Sequence, residues 1–166
     1  GNIPPVSEVD EIQIDRPEIY FGELSNDYIV VGTDEQEFDY PNGDSNSYTM
    51  YEGNAGIKMS FFNRVLFSIR EASLKLLVSS NIDSNSKIII NRNVLDRITT
   101  IMPYLSYEKD PYMVTVDGKL YWILDAYTVS SNYPYSEPYS NRSDCNYIRN
   151  SVKIVVDAYN GTTDFY

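Results

Sequence analysis

The stretch Tyr112-Met113-Val114-Thr115-Val116-Asp117-Gly118-Lys119-Leu120-Tyr121-Trp122-Ile123-Leu124-Asp125-Ala126-Tyr127 decides the fold class. Two β-rich runs, Tyr112 to Val116 and Lys119 to Tyr127, flank Asp117-Gly118. Both turn residues tolerate positive φ, so the pattern predicts a two-residue β-hairpin. Tyr147 to Tyr159 reads as a long strand with Val152, Ile154, Val156 and Ala158 on one face. Asn160-Gly161 reads as a second two-residue turn, and Thr162 to Tyr166 begins the returning strand. A natural domain rarely ends inside a pairing strand, so the chain is expected to be an excised fragment. The loop from Thr128 to Asn146 carries Pro134 and Pro138 and is expected to be ordered, with Tyr135 exposed and Tyr133 buried.

Upstream the period changes from two to that of a helix. Met59 to Val78 places Phe62, Val65, Leu66, Ile69, Ser73, Leu76 and Leu77 on one broad face, with Ser60 as cap and Glu71 and Lys75 as an i,i+4 pair. This face is expected to pack on the core. Lying on a membrane surface is the lesser reading, because the neighbourhood lacks a dense basic face. After a polar turn over Ile82 to Asn85 comes a short strand or extended entry over Lys87 to Ile90. A second helix runs from Arg92 to Met102, with Val94, Leu95, Ile98, Ile101 and Met102 inward and Asp96 and Arg97 at the surface, and Pro103 stops it. Tyr28 to Val31 reads as a strand ending near Gly32, able to pair with Gln36 to Tyr40. The run Pro41-Asn42-Gly43-Asp44 is a turn.

These signals specify an α+β fold: a mainly antiparallel sheet with two amphipathic helices, 59–79 and 92–102, packed on one face. The 166 residues suit a single domain. Its parts are an extended arm over 1–19, an acidic β and loop part over 20–57, the helices over 58–103, and the hairpins with a long Tyr/Pro loop over 104–166. Val114, Val116, Leu120, Trp122, Val152, Ile154 and Val156 are expected to meet Phe62, Leu66, Ile69, Ile98 and Met102.

Charge narrows function by exclusion. The net charge is −11 and there is no histidine. Phosphate backbones need clustered Lys and Arg, so nucleic acid is not an expected partner, and docking on anionic headgroups is disfavoured. Lack of His removes the commonest metal ligand and the commonest general base. One cysteine, Cys145, can form neither an internal disulfide nor a thiolate zinc cluster. The charge is uneven: residues 1–57 hold 13 acids and one base, Arg16, whereas 58–166 net +1. No segment reaches the length of apolar chain that spans a bilayer. Neither a phosphate loop nor a nucleophile elbow occurs. No cofactor is expected.

Two sets of residues stand as candidate sites. Asn42, Asp44 and Asn46 alternate like the first ligands of a calcium loop, but Ser47 and Gly53 occupy the positions where an EF-hand needs Gly and Glu. The alternative is a polar hairpin loop. Tyrosine is in excess, with 16 residues. Tyr127, Tyr133, Tyr135 and Tyr139 gather at the long loop, where amphipathic rings can stack on a sugar or a partner protein, or pack along the loop. Carboxylates such as Glu35, Glu37 and Asp39, or Asp10 and Glu11, are neighbours in sequence. That does not make the converging pair that acid–base catalysis requires.

A set of ordered blocks carries a resemblance. It comprises Arg16-Pro17-Glu18-Ile19-Tyr20-Phe21-Gly22-Glu23-Leu24, Glu37-Phe38-Asp39-Tyr40-Pro41 and Tyr51-Glu52-Gly53. It continues with Asp110-Pro111-Tyr112, Asp117 to Ile123, Asp125-Ala126-Tyr127-Thr128, Tyr133-Pro134-Tyr135-Ser136, Asn146 to Lys153 and Asp157 to Gly161. Together they resemble uncharacterised protein family 0182, large multi-pass membrane proteins of bacteria. The resemblance implies a piece of the extracytoplasmic region of a cell-membrane protein. Its expected partners are the parent chain's transmembrane helices and remaining extracytoplasmic region, with an envelope protein or glycan beyond them. No activity comes with the resemblance. A non-enzymatic interaction or scaffold role is the expected function, and a module binding cell-wall glycan or a cation is the alternative.

Overall fold

The computed structural model describes residues 9, 13–42, 45–138 and 144–166. In chain order the elements are β1 (Ile29–Val31), β2 (Glu37–Asn42), β3 (Ser45–Thr49), β4 (Ile57–Lys58), α1 (Phe61–Arg70), α2 (Lys75–Val78), β5 (Lys87–Ile89), α3 (Val94–Ile101), β6 (Ser106–Tyr107), β7 (Tyr112–Val116), β8 (Lys119–Ser130), β9 (Tyr147–Asp157) and β10 (Thr163–Phe165). The fold is α+β, and every ladder between these strands is antiparallel.

The main sheet is organised on β8. Its first half closes the expected hairpin with β7 through Asp117 and Gly118, both at positive φ. Farther along the same edge it pairs with β6, and β9 occupies its other edge, itself followed by β10. Period-two alternation puts Leu120, Trp122, Leu124 and Ala126 on one face, where Leu120, Leu124 and Ala126 are buried. Trp122, Leu124 and Ala126 stand opposite Val156, Ile154 and Val152 of β9. The tight hairpin sets Val114 opposite Tyr121 and Val116 opposite Lys119. Val114 and Val116 therefore fall on the other face, and Val116 is exposed, contrary to the sequence-based expectation. The second hairpin is also real, but its turn is longer than two residues. Asp157 N–H donates to the Thr162 carbonyl at 3.0 Å, and the Asp157 carboxylate accepts from Tyr159 and Asn160 N–H at 2.7 and 2.9 Å. Gly161 adopts φ +66 there, and a Cβ would come within 2.6 Å of the Phe21 ring.

β5 is the hinge between two apolar clusters. It pairs with β1 on one edge and β4 on the other. Ile89 points into the larger cluster, among Phe21, Val94, Ile98, Leu124 and Ile154, and Ile88 into a smaller one with Met59, Phe67, Leu76 and Ile82. β1 was expected to pair with the Gln36–Tyr40 strand. Instead the chain leaves β1 through Gly32 at φ +65, and β2 forms a separate two-stranded sheet with β3.

A strap threads the larger cluster. Tyr20 and Phe21 N–H groups both donate to the Ala158 carbonyl at 2.9 Å. Trp122 Nε1 donates to the Phe21 carbonyl at 2.9 Å, and Arg92 Nε to the Tyr20 carbonyl at 2.7 Å. Asn93 caps α3 by accepting from Leu95 and Asp96 N–H. Val94 and Ile98 are buried, with Leu95 and Met102 packed beside them, as expected. Ile101 is exposed, and Arg97 is not a surface group. Its guanidinium lies 4.8 Å from the Phe21 ring centroid and donates to the Gly161 carbonyl at 2.8 Å.

The largest departure from expectation is the helix read over 59–78. It breaks at Ala72, φ 48, after which Ser73 N–H reaches back to the Ser68 carbonyl at 2.9 Å. Within α1 the buried residues are Phe67 and Ser68, while Phe62, Leu66 and Ile69 are exposed. Arg64 explains this orientation. Its Nε donates to the Leu76 carbonyl at 3.1 Å, Nη1 to Ile82 at 3.0 Å, and Nη2 to Leu77 at 2.8 Å and Ser79 at 2.7 Å. Those carbonyls belong to a short helix and its exit, where the last turn of a helix leaves carbonyls without intrahelical donors. Turning Arg64 inward satisfies them and turns the stripe Phe62-Val65-Leu66-Ile69 outward, so Phe62, Leu66 and Ile69 do not meet the main sheet.

Arg64→Met should lower unfolding free energy by about 2–3 kcal/mol, the scale of charge-assisted hydrogen bonds with their acceptors left bare. Arg64→Lys should recover part of it, since one ammonium cannot span four carbonyls. Leu66→Asp, in contrast, should leave the denaturant midpoint nearly unchanged. Urea titrations of the three variants check this.

Candidate functional site

The loop after β8 is shorter than the sequence suggested, because β8 continues to Ser130 and its ladder with β9 to Ser130 opposite Tyr147. Asn146 fastens the loop. Its side-chain amide donates to the Tyr133 and Ser136 carbonyls at 2.9 and 3.0 Å, and its Oδ1 accepts from Tyr133 N–H at 3.0 Å. The Ser136 hydroxyl closes the arrangement on the Asn146 carbonyl at 2.8 Å. Asn146 opens one of the blocks of the resemblance, but nothing in that block or in the local periodicity signals its role in fastening the loop.

The structure places the candidate tyrosines in different settings. Tyr127 lies in β8 and donates to Glu108 Oε2 at 3.1 Å, a bond that raises its pKa. Tyr133 is not buried: half its surface is in water and its other face stacks on Tyr147, centroids 4.6 Å apart and 13° from parallel. Tyr135 is fully exposed, as expected, at φ 58. Tyr139 lies outside the described residues. Tyr133 and Tyr135 thus share the fastened loop, and Tyr127 is tied to Glu108.

Asn42 and Asn46 sit on facing strands of the β2–β3 hairpin, with Asn42 opposite Ser45 and Asn46 opposite Pro41. Asp44 lies outside the described residues. Among the described residues no three acidic or cysteine side chains are grouped as metal ligands.

A second place collects acids from distant parts of the chain. Glu18, Tyr20, Glu37, Asp39, Thr49 and Arg92 line an open groove of about 320 Å³. The Tyr20 hydroxyl donates to Glu37 Oε2 in a short contact. Burial, then this bond and its charge, push the Tyr20 pKa far up, so it remains a donor. Glu18 Oε1 accepts from Thr49 at 3.4 Å, and its Oε2 is buried without a hydrogen-bond partner among the described residues. Burial, and then the charge of Glu18, raise the Asp39 pKa. Arg92 also lines the groove: its guanidinium donates to the Tyr20 and Asp27 carbonyls and interacts electrostatically with Glu37. Glu37 and Asp39 share this groove, while Glu35 accepts from Asn81 elsewhere at 2.7 Å. Beneath the groove Tyr20, Tyr51 and Tyr159 pack with centroids 4.6 to 5.1 Å apart, and Arg16 lies 4.3 Å over the Tyr159 ring. The strap and hairpin that meet here are the blocks Arg16 to Leu24 and Asp157 to Gly161. The model of the Uncharacterised protein family (UPF0182) matches residues 1–166.

The chain belongs to UPF0182. A UPF0182 protein of Alkaliphilus metalliredigens is 54% identical over 165 residues, which cover 99% of this chain and 18% of that protein. Those of Desulfitobacterium hafniense and Clostridium botulinum strain Okra are 50% and 53% identical, with 17% and 18% of their lengths covered. The chain therefore spans under a fifth of the length of these curated relatives, which are much larger proteins. No solved structure matches it. For UPF0182 the aromatic blocks of the resemblance acquire a physical role: they build the strap, the tyrosine cluster and the loop.

The groove yields a pH test. A raised Asp39 pKa means that the folded chain holds this proton more readily than the unfolded one. Stability is then lost as pH rises from the unfolded value of 3.8 through the folded pKa, and the full cost applies above it. Asp39→Asn should melt above wild type at neutral pH, and the gap should close below the unfolded value. Thermal melts across pH check the sign; a gap that widens in acid contradicts it.

Proposed function

We propose that this chain is a non-enzymatic interaction or scaffold module on the extracytoplasmic side of a larger bacterial membrane protein. The observation that carries the interaction role is Tyr135. Its backbone occupies the left-handed region, and its ring is fully in water on a loop fastened by Asn146. A tyrosine so placed adds strain and no burial to the fold, while an ordered exposed ring is a ready anchor for a partner. The membrane setting and the side of the membrane rest on the resemblance of the sequence blocks, and the greater length of the relatives supports a role within a larger protein.

The test uses the whole protein in intact bacteria, with Cys145→Ser and Tyr135→Cys. A membrane-impermeant maleimide should label residue 135 without lysis; labelling that requires lysis would contradict the placement. A photoreactive phenylalanine analogue at 135 should give discrete cross-linked adducts, and an absence of adducts would remove the interaction role.

One observation favours glycan as the ligand. The Tyr133–Tyr147 stack is nearly parallel and leaves half of Tyr133 in water beside Tyr135, a flat aromatic platform of the kind sugar rings stack on. In this reading the chain sediments with isolated cell-wall glycan, and Tyr133→Ala or Tyr135→Ala weakens binding by about 1–3 kcal/mol. The melting temperature should stay nearly unchanged. A chain that stays in the supernatant removes the glycan reading.

A further inference from the structure

α1 is amphipathic with its apolar side outward. Phe62, Leu66 and Ile69 are 69%, 48% and 73% exposed, and with half-buried Val65 they form an i, i+3, i+4, i+7 stripe. The stripe lies opposite Phe67, Ser68 and Arg64, which face the smaller cluster and the α2 carbonyls. Phe61 at the start of α1, and Leu74 and Val78 at α2, are exposed as well. Six large apolar side chains in water within 18 residues, 61 to 78, exceed the scattering that a solvated surface carries. None is needed to hold the helix, because Arg64 and the buried residues do that.

The charge around the stripe indicates what covers it. Residues 58–78 hold Lys58, Arg64, Arg70 and Lys75 against Glu71, a net +3 in a chain of net −11. Arg64 is committed to carbonyls, and Arg70 lies 3.4 Å from Glu71. Lys58 and Lys75 are exposed and flank the apolar run in sequence, Lys58 three residues before Phe61 and Lys75 next to Leu74. A protein partner chosen for the rest of this acidic surface would be basic, and these lysines would repel it. An interface of acyl chains below anionic headgroups suits both features: Phe, Leu and Ile enter the apolar layer, and lysines reach the phosphates from its edge. The chain's overall negative charge is largely screened beyond about 8 Å at physiological ionic strength, so the local sign governs contact.

We propose that α1 docks in the plane of a lipid bilayer surface, inserting Phe62, Leu66 and Ile69, with Lys58 and Lys75 at the headgroups. The surface is separate from the Tyr133–Tyr135 loop, so the proposal stands or falls independently of the loop's ligand.

The test is co-sedimentation of the 166-residue chain with vesicles of phosphatidylcholine alone and mixed with phosphatidylglycerol. The chain should pellet with the mixed vesicles and more weakly with phosphatidylcholine. Phe62→Gln with Ile69→Gln should weaken binding by about tenfold or more, as expected for two apolar side chains no longer removed from water. The melting temperature should hold, because both positions are exposed. Lys58→Gln with Lys75→Gln should remove the preference for phosphatidylglycerol and leave the weaker binding. Failure to pellet with either vesicle overturns the proposal. So does pelleting that the Phe62 and Ile69 substitutions leave unchanged. Lipid-free dimerisation abolished by the same substitutions would assign the stripe to a second copy and overturn it too.

Discussion

The guanidinium of Arg64 sets the orientation of the helical part of this protein. Four carbonyl oxygens, from Leu76, Leu77, Ser79 and Ile82, converge on it. A short helix cannot satisfy its own last carbonyls, and an isolated α2 of four residues would not persist in water. One planar group with five donors meets all four acceptors and ties α2 and its exit to α1. The consequence is geometric. If the side of the helix that carries Arg64 must face inward, the apolar stripe on the opposite side must face out. The protein thereby keeps the helical pair and leaves its most apolar helix face unpartnered within the described residues.

The remainder is assembled by chain segments that meet far from their neighbours in sequence. The strap Tyr20-Phe21-Gly22 lies between the turn after β9 and the start of α3, with its backbone groups bonded to Ala158, Arg92 and Val94. Phe21 fills the space that Gly161 leaves open. β5 joins this larger cluster to the smaller one beneath α1, because successive isoleucines point to opposite faces of a strand buried on both sides. The acid groove borders the larger cluster at Tyr20 and Ile29. Its carboxylates are brought together by the strap and β2, which accounts for the desolvation that raises the Asp39 pKa.

The sheet was legible in the sequence and the helix orientation was not. Asp117-Gly118 and the alternation through Leu120, Trp122, Leu124 and Ala126 depend on local backbone rules, and β7 to β9 follow them. Val114 and Val116 were misplaced because a two-residue turn fixes register, and register decides the face. Helical periodicity identified the correct stripe on α1 but not its destination, since the spacing of apolar residues along one helix carries no information about distant carbonyls that an arginine must reach. Arg97 misled for a related reason: its stem and guanidinium found an aromatic face and a turn carbonyl that no local pattern announces. Tyr135 was legible as an exposed ring. Asn146, which holds its loop, was not, because an asparagine's role depends on which backbone groups fold back to it. The groove of Glu18, Glu37 and Asp39 combines residues separated by up to 21 positions, beyond any local motif.

The central claim is that α1 shows its apolar stripe to the outside and its Arg64–Ser68 side to the interior. Hydroxyl-radical footprinting of the 166-residue chain, read residue by residue by mass spectrometry, addresses it without substitution. Phe61 and Phe62 should oxidise rapidly and Phe67 slowly, with Phe67 becoming reactive when the chain is unfolded in urea. Protection of Phe62 together with rapid oxidation of Phe67 in the folded chain would contradict the account.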